Sequence, residues 1–161
     1  MAKDGAANGE QGVALGRGFM LWQVANGWQR TARALLAPTG LTHVQALMLA
    51  GLAERLAEGR PVSQAQLAQS LDADVMMTSQ VLRTLEAAGL LRRDKDPNDT
   101  RARTLALTEE GRAKLDEALP VLAQIDEAFF DPLGKKEERF VKSLKRLWKK
   151  QRQDRQPAKG A

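Results

Sequence analysis

The chain has 161 residues, 43% of them hydrophobic and 28% charged, enough for one domain with a hydrophobic core. It has no cysteine and one histidine, which excludes a disulfide scaffold, a thiolate metal site, a cysteine nucleophile and a multi-histidine zinc site, while the net charge of +5 suits a polyanionic partner without specifying one. No apolar run approaches the ~18 residues a membrane helix needs, and the Gly/Ala-rich start MAKDGAANGEQGVALGRG lacks a signal peptide's apolar segment, so the expectation is a cytoplasmic protein with no membrane role.

In chain order, residues 1–16 read as a flexible arm. Leu21, Val24, Ala25, Trp28, Ala32 and Leu35 then recur at helical spacing and predict a helix over about 17–37, ended by Pro38 and Gly40. Thr42 and Gln45 have capping-box spacing and start the next helix, whose buried stripe is Val44, Leu47, Met48 and Leu52. Ser63 and Gln66 repeat that spacing at the head of a short helix. Asp72 or Asp74 is the N-cap of a further helix, about 75–88, that stops at Gly89. Two short helices joined by a few residues make a helix-turn-helix candidate.

LLRR and RTLAL follow with strand character; in the second, Arg103, Leu105 and Leu107 share one face and Thr104 and Ala106 the other. DKDPNDTR between them is too polar to bury and holds turn residues, so the pair reads as a hairpin with a charged, exposed tip. Thr108 caps another helix, with Glu109 and Glu110 where its dipole favours them and Leu115, Leu119, Leu122, Ile125 and Phe129 as its apolar stripe. Asp131-Pro132-Leu133-Gly134 breaks it. The last helix carries Phe140, Val141, Leu144, Leu147 and Trp148 on one side and Lys/Arg on the other, and 151–161 reads as a flexible tail. Its basic side is either a solvated face or a surface for anionic lipid.

Placed at 100° intervals, Thr78, Val81, Leu82 and Leu85 cluster on one side of the 75–88 helix, and Met76, Ser79, Gln80 and Arg83 point away. An amphipathic helix needs a polar outer side in any case. This one also offers what base edges require: Gln and Arg for bidentate hydrogen bonds, Ser to donate or accept, and Met for a thymine methyl. A helix in the major groove leaves the adjacent minor groove within reach of an arginine on a projecting loop. Arg101 is that arginine, with Asp99 two residues earlier to hold its guanidinium; the alternative is a surface ion pair of little energetic weight. The segment 63–107 balances its basic residues with acidic ones, so phosphate contacts would come from few side chains plus backbone N–H groups. Paired carboxylates beside a base, a phosphate-cradling Gly-rich loop and a metal cluster are all missing, which argues against an enzyme and against a cofactor; His43, in the first turn of its helix, reads as packed or solvent-facing.

Four segments, LTHVQALML (41–49), SQAQLAQSL (63–71), TSQVLRTLEAAGLLRR (78–93) and DPNDTRARTLALTEEG (96–111), resemble the MarR family of winged-helix transcriptional regulators. The last is the most specific. It is similar to the family's Asp-Pro-x-Asp-Arg-Arg wing followed by a Leu-Thr-x-x-Gly helix start, with Thr100 in place of a frequent arginine. Arg83 and Thr84 depart from a common Asp-Arg pair, so base preference does not carry over. The resemblance implies a mainly α fold: a winged helix-turn-helix lobe with a two-stranded β-hairpin wing, plus N- and C-terminal helices forming a dimerisation region. It implies a homodimer on a near-palindromic double-stranded DNA operator, a repressor released by a small aromatic or anionic effector, with Arg101 as the wing arginine and Ser79 and Gln80 on the recognition helix.

The aromatics fit a dimer on their own terms, because Trp22, Trp28, Phe129, Phe130, Phe140 and Trp148 all lie outside the winged segment, where one small lobe cannot cover them. The expected organisation is an arm (1–16), an N-terminal dimerisation helix (17–40), a DNA-binding lobe (41–111), C-terminal dimerisation helices (112–150) and a tail (151–161). The expected DNA-contacting residues are Met76, Ser79, Gln80, Arg83, Asp99 and Arg101. The competing reading is a winged-helix protein-interaction module without DNA binding, suggested by the modest charge of the lobe and by Met76 and Met77.

Overall fold

The computed structural model of the protein describes residues 16–59, 61–95 and 103–155. Helix α1 spans Arg17–Leu36 and tightens into a 3-10 turn, Ala37–Thr39, that Gly40 closes with a φ of 75°. Buried Thr39 satisfies the backbone there: its hydroxyl donates to the Leu36 carbonyl (2.7 Å) and accepts from the Leu41 amide (3.2 Å). Helix α2, His43–Ala57, starts with both halves of a capping box in place; the Thr42 hydroxyl accepts from the Gln45 amide (3.3 Å) and the Gln45 side chain accepts from the Thr42 amide (2.8 Å). Ser63 and Gln66 repeat this at the head of α3, Gln64–Ser70. Four orphan N–H groups open any helix, and this spacing satisfies two backbone donors at once.

Helix α4 covers Val75–Ala87 and ends in a Schellman arrangement. Gly89 (φ 74°) donates to Glu86 and Leu90 donates to Leu85, both at 2.9 Å, and the buried side chains of Leu90 and Leu85 accompany the turn. Strand β1, Leu91–Lys95, pairs antiparallel with β2, Arg103–Leu107, from Leu91↔Leu107 to Lys95↔Arg103. A further bridge joins Val62, just before α3, to Leu105, whose amide donates to the Val62 carbonyl at 2.8 Å. A single-residue bridge has no periodicity, and the sequence carried no sign of it. β2 is flanked by α2, α3 and α5, so Thr104 is buried as well as Leu105 and the expected two-face alternation is blurred.

Helix α5 spans Glu109–Phe130, and a 3-10 segment, Asp131–Lys136, turns the chain into α6, Glu137–Arg155. Gly134, with φ 48° and ψ −129°, makes the break that DPLG forecast. Helix continues through 151–155, the start of the segment expected to be a tail, because KKQRQDR carries no Gly or Pro and Lys150 pairs with Asp154 at 2.8 Å. Within α5 the core side is Leu115, Ala118 and Ile125; Leu119, expected in the stripe, is exposed, its place taken by Ala118 one position earlier.

Leu36, Leu49, Leu52, Leu67, Leu82, Leu85, Leu91 and Ile125 are fully buried and make one core shared by α1 to α5 and the hairpin. That core holds the helix-turn-helix rigidly but leaves the first half of α1 and all of α6 outside it: Met20, Leu21, Trp22, Leu147 and Trp148 are exposed. Among the described residues no single helix is long and apolar enough to cross a membrane.

Candidate nucleic-acid interface

The turn between α3 and α4 depends on one unusual backbone position. Asp72 sits at φ 51°, in the left-handed region that Asp tolerates better than most residues, and Ala73 then donates back to the Ala68 carbonyl at 2.9 Å. Asp74, rather than Asp72, is the N-cap, its carboxylate accepting from the Met77 amide at 2.8 Å. The two candidates are thus divided: one makes the turn and the other starts the helix. Thr78 is buried with its hydroxyl donating to the Asp74 carbonyl at 2.8 Å, so it needs no other partner inside the core.

Thr78, Leu82 and Leu85 fix which side of α4 faces inward. Met76, Gln80 and Arg83 are therefore exposed, Met76 at 76%, and Ser79 is half-buried beside them. Arg83 Nη2 approaches Ser79 Oγ at 3.3 Å, one turn back on the same face. The outer face thus offers an amide, a guanidinium, a hydroxyl and a thioether within two turns of helix, the donor, acceptor and apolar groups that a major-groove edge presents. Asp99 and Arg101 lie outside the described residues.

The hairpin is locked to α4 and α5 by contacts between residues far apart in the chain, together with the Thr108 cap of α5. Arg93 on β1 reaches Glu86 on α4 at 3.3 Å and the Gln64 side chain on α3 at 3.4 Å, so one guanidinium ties both helices of the motif to the strand. Nothing local in the sequence marks its partners. At the other end the Thr108 hydroxyl donates to the Gly89 carbonyl (2.7 Å) and accepts from the Gly111 amide (2.9 Å), capping α5 while holding it against the end of α4. A β-carbon on Gly111 would lie 1.8 Å from the Leu90 carbonyl oxygen. The Leu-Thr-x-x-Gly spacing thus has a physical reason: a cap, then a backbone approach only glycine allows.

On the far side, α1, α5 and α6 enclose an open groove of about 360 Å³ lined by Leu21, Val24, Trp28, Phe129, Phe130 and Phe140. Trp28 spans it, its indole N–H donating to Asp126 at 3.0 Å and its ring meeting His43 edge-on at 5.8 Å. Burial, with the nearby Arg33 charge adding to it, holds the His43 imidazole below its ordinary pKa. Among the described residues no three His, Cys, Asp or Glu side chains are grouped as a metal site would need.

A short helix, a tight turn, a second helix with a free polar face and an antiparallel hairpin define a winged helix-turn-helix protein. Residues 41–102 match the model of the MarR family. The chain is 43% identical over 132 residues to an uncharacterized HTH-type transcriptional regulator of Bacillus subtilis, YdcH, an alignment covering 82% of this chain and 89% of the relative. Among solved structures it resembles a probable transcriptional regulator from Pseudomonas aeruginosa (30% identity, TM-score 0.69, 81% of this chain and 95% of that one). It also resembles a variant of Escherichia coli MarR complexed with operator DNA (25% identity, TM-score 0.69, 83% and 91%). The chain belongs to the MarR family of winged-helix transcriptional regulators and is not an enzyme.

Proposed function

We propose that the protein is a homodimeric repressor that binds a near-palindromic operator through α4 and releases it when a small aromatic or anionic effector binds. The observation that carries the operator reading is the outer face of α4: its inward side is fixed by Thr78, Leu82 and Leu85, so Met76, Gln80 and Arg83 face away from the core together. Gln80 and Arg83 are the base readers, Met76 the apolar contact and Ser79 a polar one that also steers Arg83. Arg101, on the segment joining β1 to β2, enters the neighbouring minor groove with Asp99 orienting it. Residues 17–40 and 112–150 supply the dimer contacts, and the protein works where its operator is, in the cytoplasm.

The test is in vitro selection of bound duplex DNA by the full-length protein, scored for a two-fold repeat. The expected result is an inverted repeat with half-site centres one helical turn apart, roughly 34 Å. Repeating the selection with Gln80→Ala should relax preference at one base pair in each half-site, a loss of about 1–3 kcal/mol of discrimination there. An identical profile would remove Gln80 from the reading face. Binding that does not weaken steeply with salt would count against phosphate contacts altogether.

A further inference from the structure

The C-terminal end of α6 returns to the helix-turn-helix. Arg152 Nη2 donates to the main-chain carbonyl of Gln69 at 3.3 Å, across 83 residues of sequence. Gln69 lies in the last turn of α3, where carbonyls have no helical partner and carry the negative end of the helix dipole. That carbonyl is also approached by the backbone amides of Leu71 and Asp72, the latter at 3.3 Å. The guanidinium is itself held from behind, its carbon 4.9 Å from the centre of the Trp148 ring. It closes one side of a small cavity of about 210 Å³ whose other walls include Ala65, Ala68, Ala73 and Val75, the residues before, within and after the turn.

We infer that Arg152 is a positioning residue for DNA binding: it sets the angle of the helix-turn-helix relative to the terminal helices, and so the spacing of the two half-sites the dimer accepts. The inference rests on the operator reading above. α6 packs mainly against the turn that follows α5, and its first two-thirds have no hydrogen bond to the lobe among the described residues. A contact at its far end acts with the full length of the helix as a lever arm. The contact falls on the α3–α4 turn, the part of the lobe whose movement would swing α4 directly. Arg152 differs in this from Lys142, Lys145, Arg146 and Lys149, which line a separate open depression along α6 that Arg152 does not border.

The experiment compares the full-length wild-type protein with Arg152→Ala, Arg152→Lys and, as a charge control, Lys149→Ala. One arm measures amide exchange over 69–75 without DNA. The other measures affinity for the selected operator and for versions with half-site spacing changed by one base pair. Arg152→Ala should speed exchange over 69–75, weaken the best operator about fivefold, as a partly exposed charged hydrogen bond warrants, and shrink the penalty for altered spacing. Arg152→Lys should recover part of both, and Lys149→Ala should leave the spacing penalty intact. A spacing penalty unchanged in Arg152→Ala overturns the inference. If that variant does not fold, Arg152→Lys decides by the same readouts, and wild-type values in it overturn the inference. Wild-type protein that binds no duplex would defeat the operator reading instead. The exchange arm would then stand alone, faster exchange supporting the tie and unchanged exchange overturning it.

Discussion

Gly111 shows how much a single position can decide. The first turn of α5 presses against the Leu90 carbonyl, and a methyl group there would have to displace backbone rather than a flexible side chain. Gly111→Ala should therefore destabilise the fold by about 1–3 kcal/mol, the usual cost of overpacking, although alanine is the better helix former. Urea unfolding measures it; a variant as stable as wild type would mean that α5 can pull back from the hairpin at no cost. His43 offers a second test. Burial, then the Arg33 charge, lower its folded-state pKa below the 6.5 of a free histidine. Between those two values the unfolded chain binds a proton that the folded chain refuses. This contribution to stability is complete above the unfolded pKa, is lost as pH falls through the interval, and changes no further below the folded pKa. Thermal unfolding of His43→Gln should consequently lose less between about pH 7 and pH 5 than that of wild type. Equal losses would assign the acid sensitivity to other groups.

At the scale of elements, what the sequence announces and what it hides divide by range. Thr42/Gln45, Ser63/Gln66, Thr108/Gly111 and Gly89 are local devices, each acting within a few residues, and each is where the residue pattern put it. The outer face of α4 was legible for the same reason: a 100° rotation per residue turns three buried positions into a prediction of the exposed ones. The Val62–Leu105 bridge, the Arg93 fork and the Arg152–Gln69 contact join residues far apart in the chain, and no periodicity encodes them. Burial along α5 is a middle case, since the stripe was correct in period but Ala118 and not Leu119 faces the core. The α3–α4 turn can be tested at this scale. Asp74 supplies the carboxylate that caps α4, so Asp74→Ala should cost about 1 kcal/mol. In a chain of this size that lowers the melting temperature by roughly 2–4 °C. The same change at Asp72 removes no cap and should instead strain the left-handed turn. The two variants therefore differ in where amide exchange accelerates: Asp74→Ala in the first turn of α4, Asp72→Ala across the loop before it.

For the whole molecule, the core and the exposed apolar surface have different owners. The core belongs to the lobe and the helices that brace it. Met20, Leu21, Trp22, Val24, Leu119, Phe140, Leu147 and Trp148 are exposed along α1, α5 and α6, and large apolar side chains grouped on a surface mark a contact face. In the homodimer proposed above, a second copy covering those faces would bury them and at the same time fix two α4 helices in space, so assembly and DNA recognition would depend on one surface. A charge placed there should uncouple both. Leu21 is 55% exposed at the rim of the α1–α5–α6 groove and contributes nothing to the core cluster, so Leu21→Glu should leave the lobe folded. Sedimentation should find the variant shifted towards monomer, with its far-ultraviolet circular dichroism retained. Operator affinity should then fall by much more than tenfold, because the second half-site is no longer bound as an intramolecular event at high effective concentration. A variant that becomes monomeric yet binds the full operator as tightly as wild type would separate the two roles, and the terminal helices would then serve something other than pairing the recognition helices.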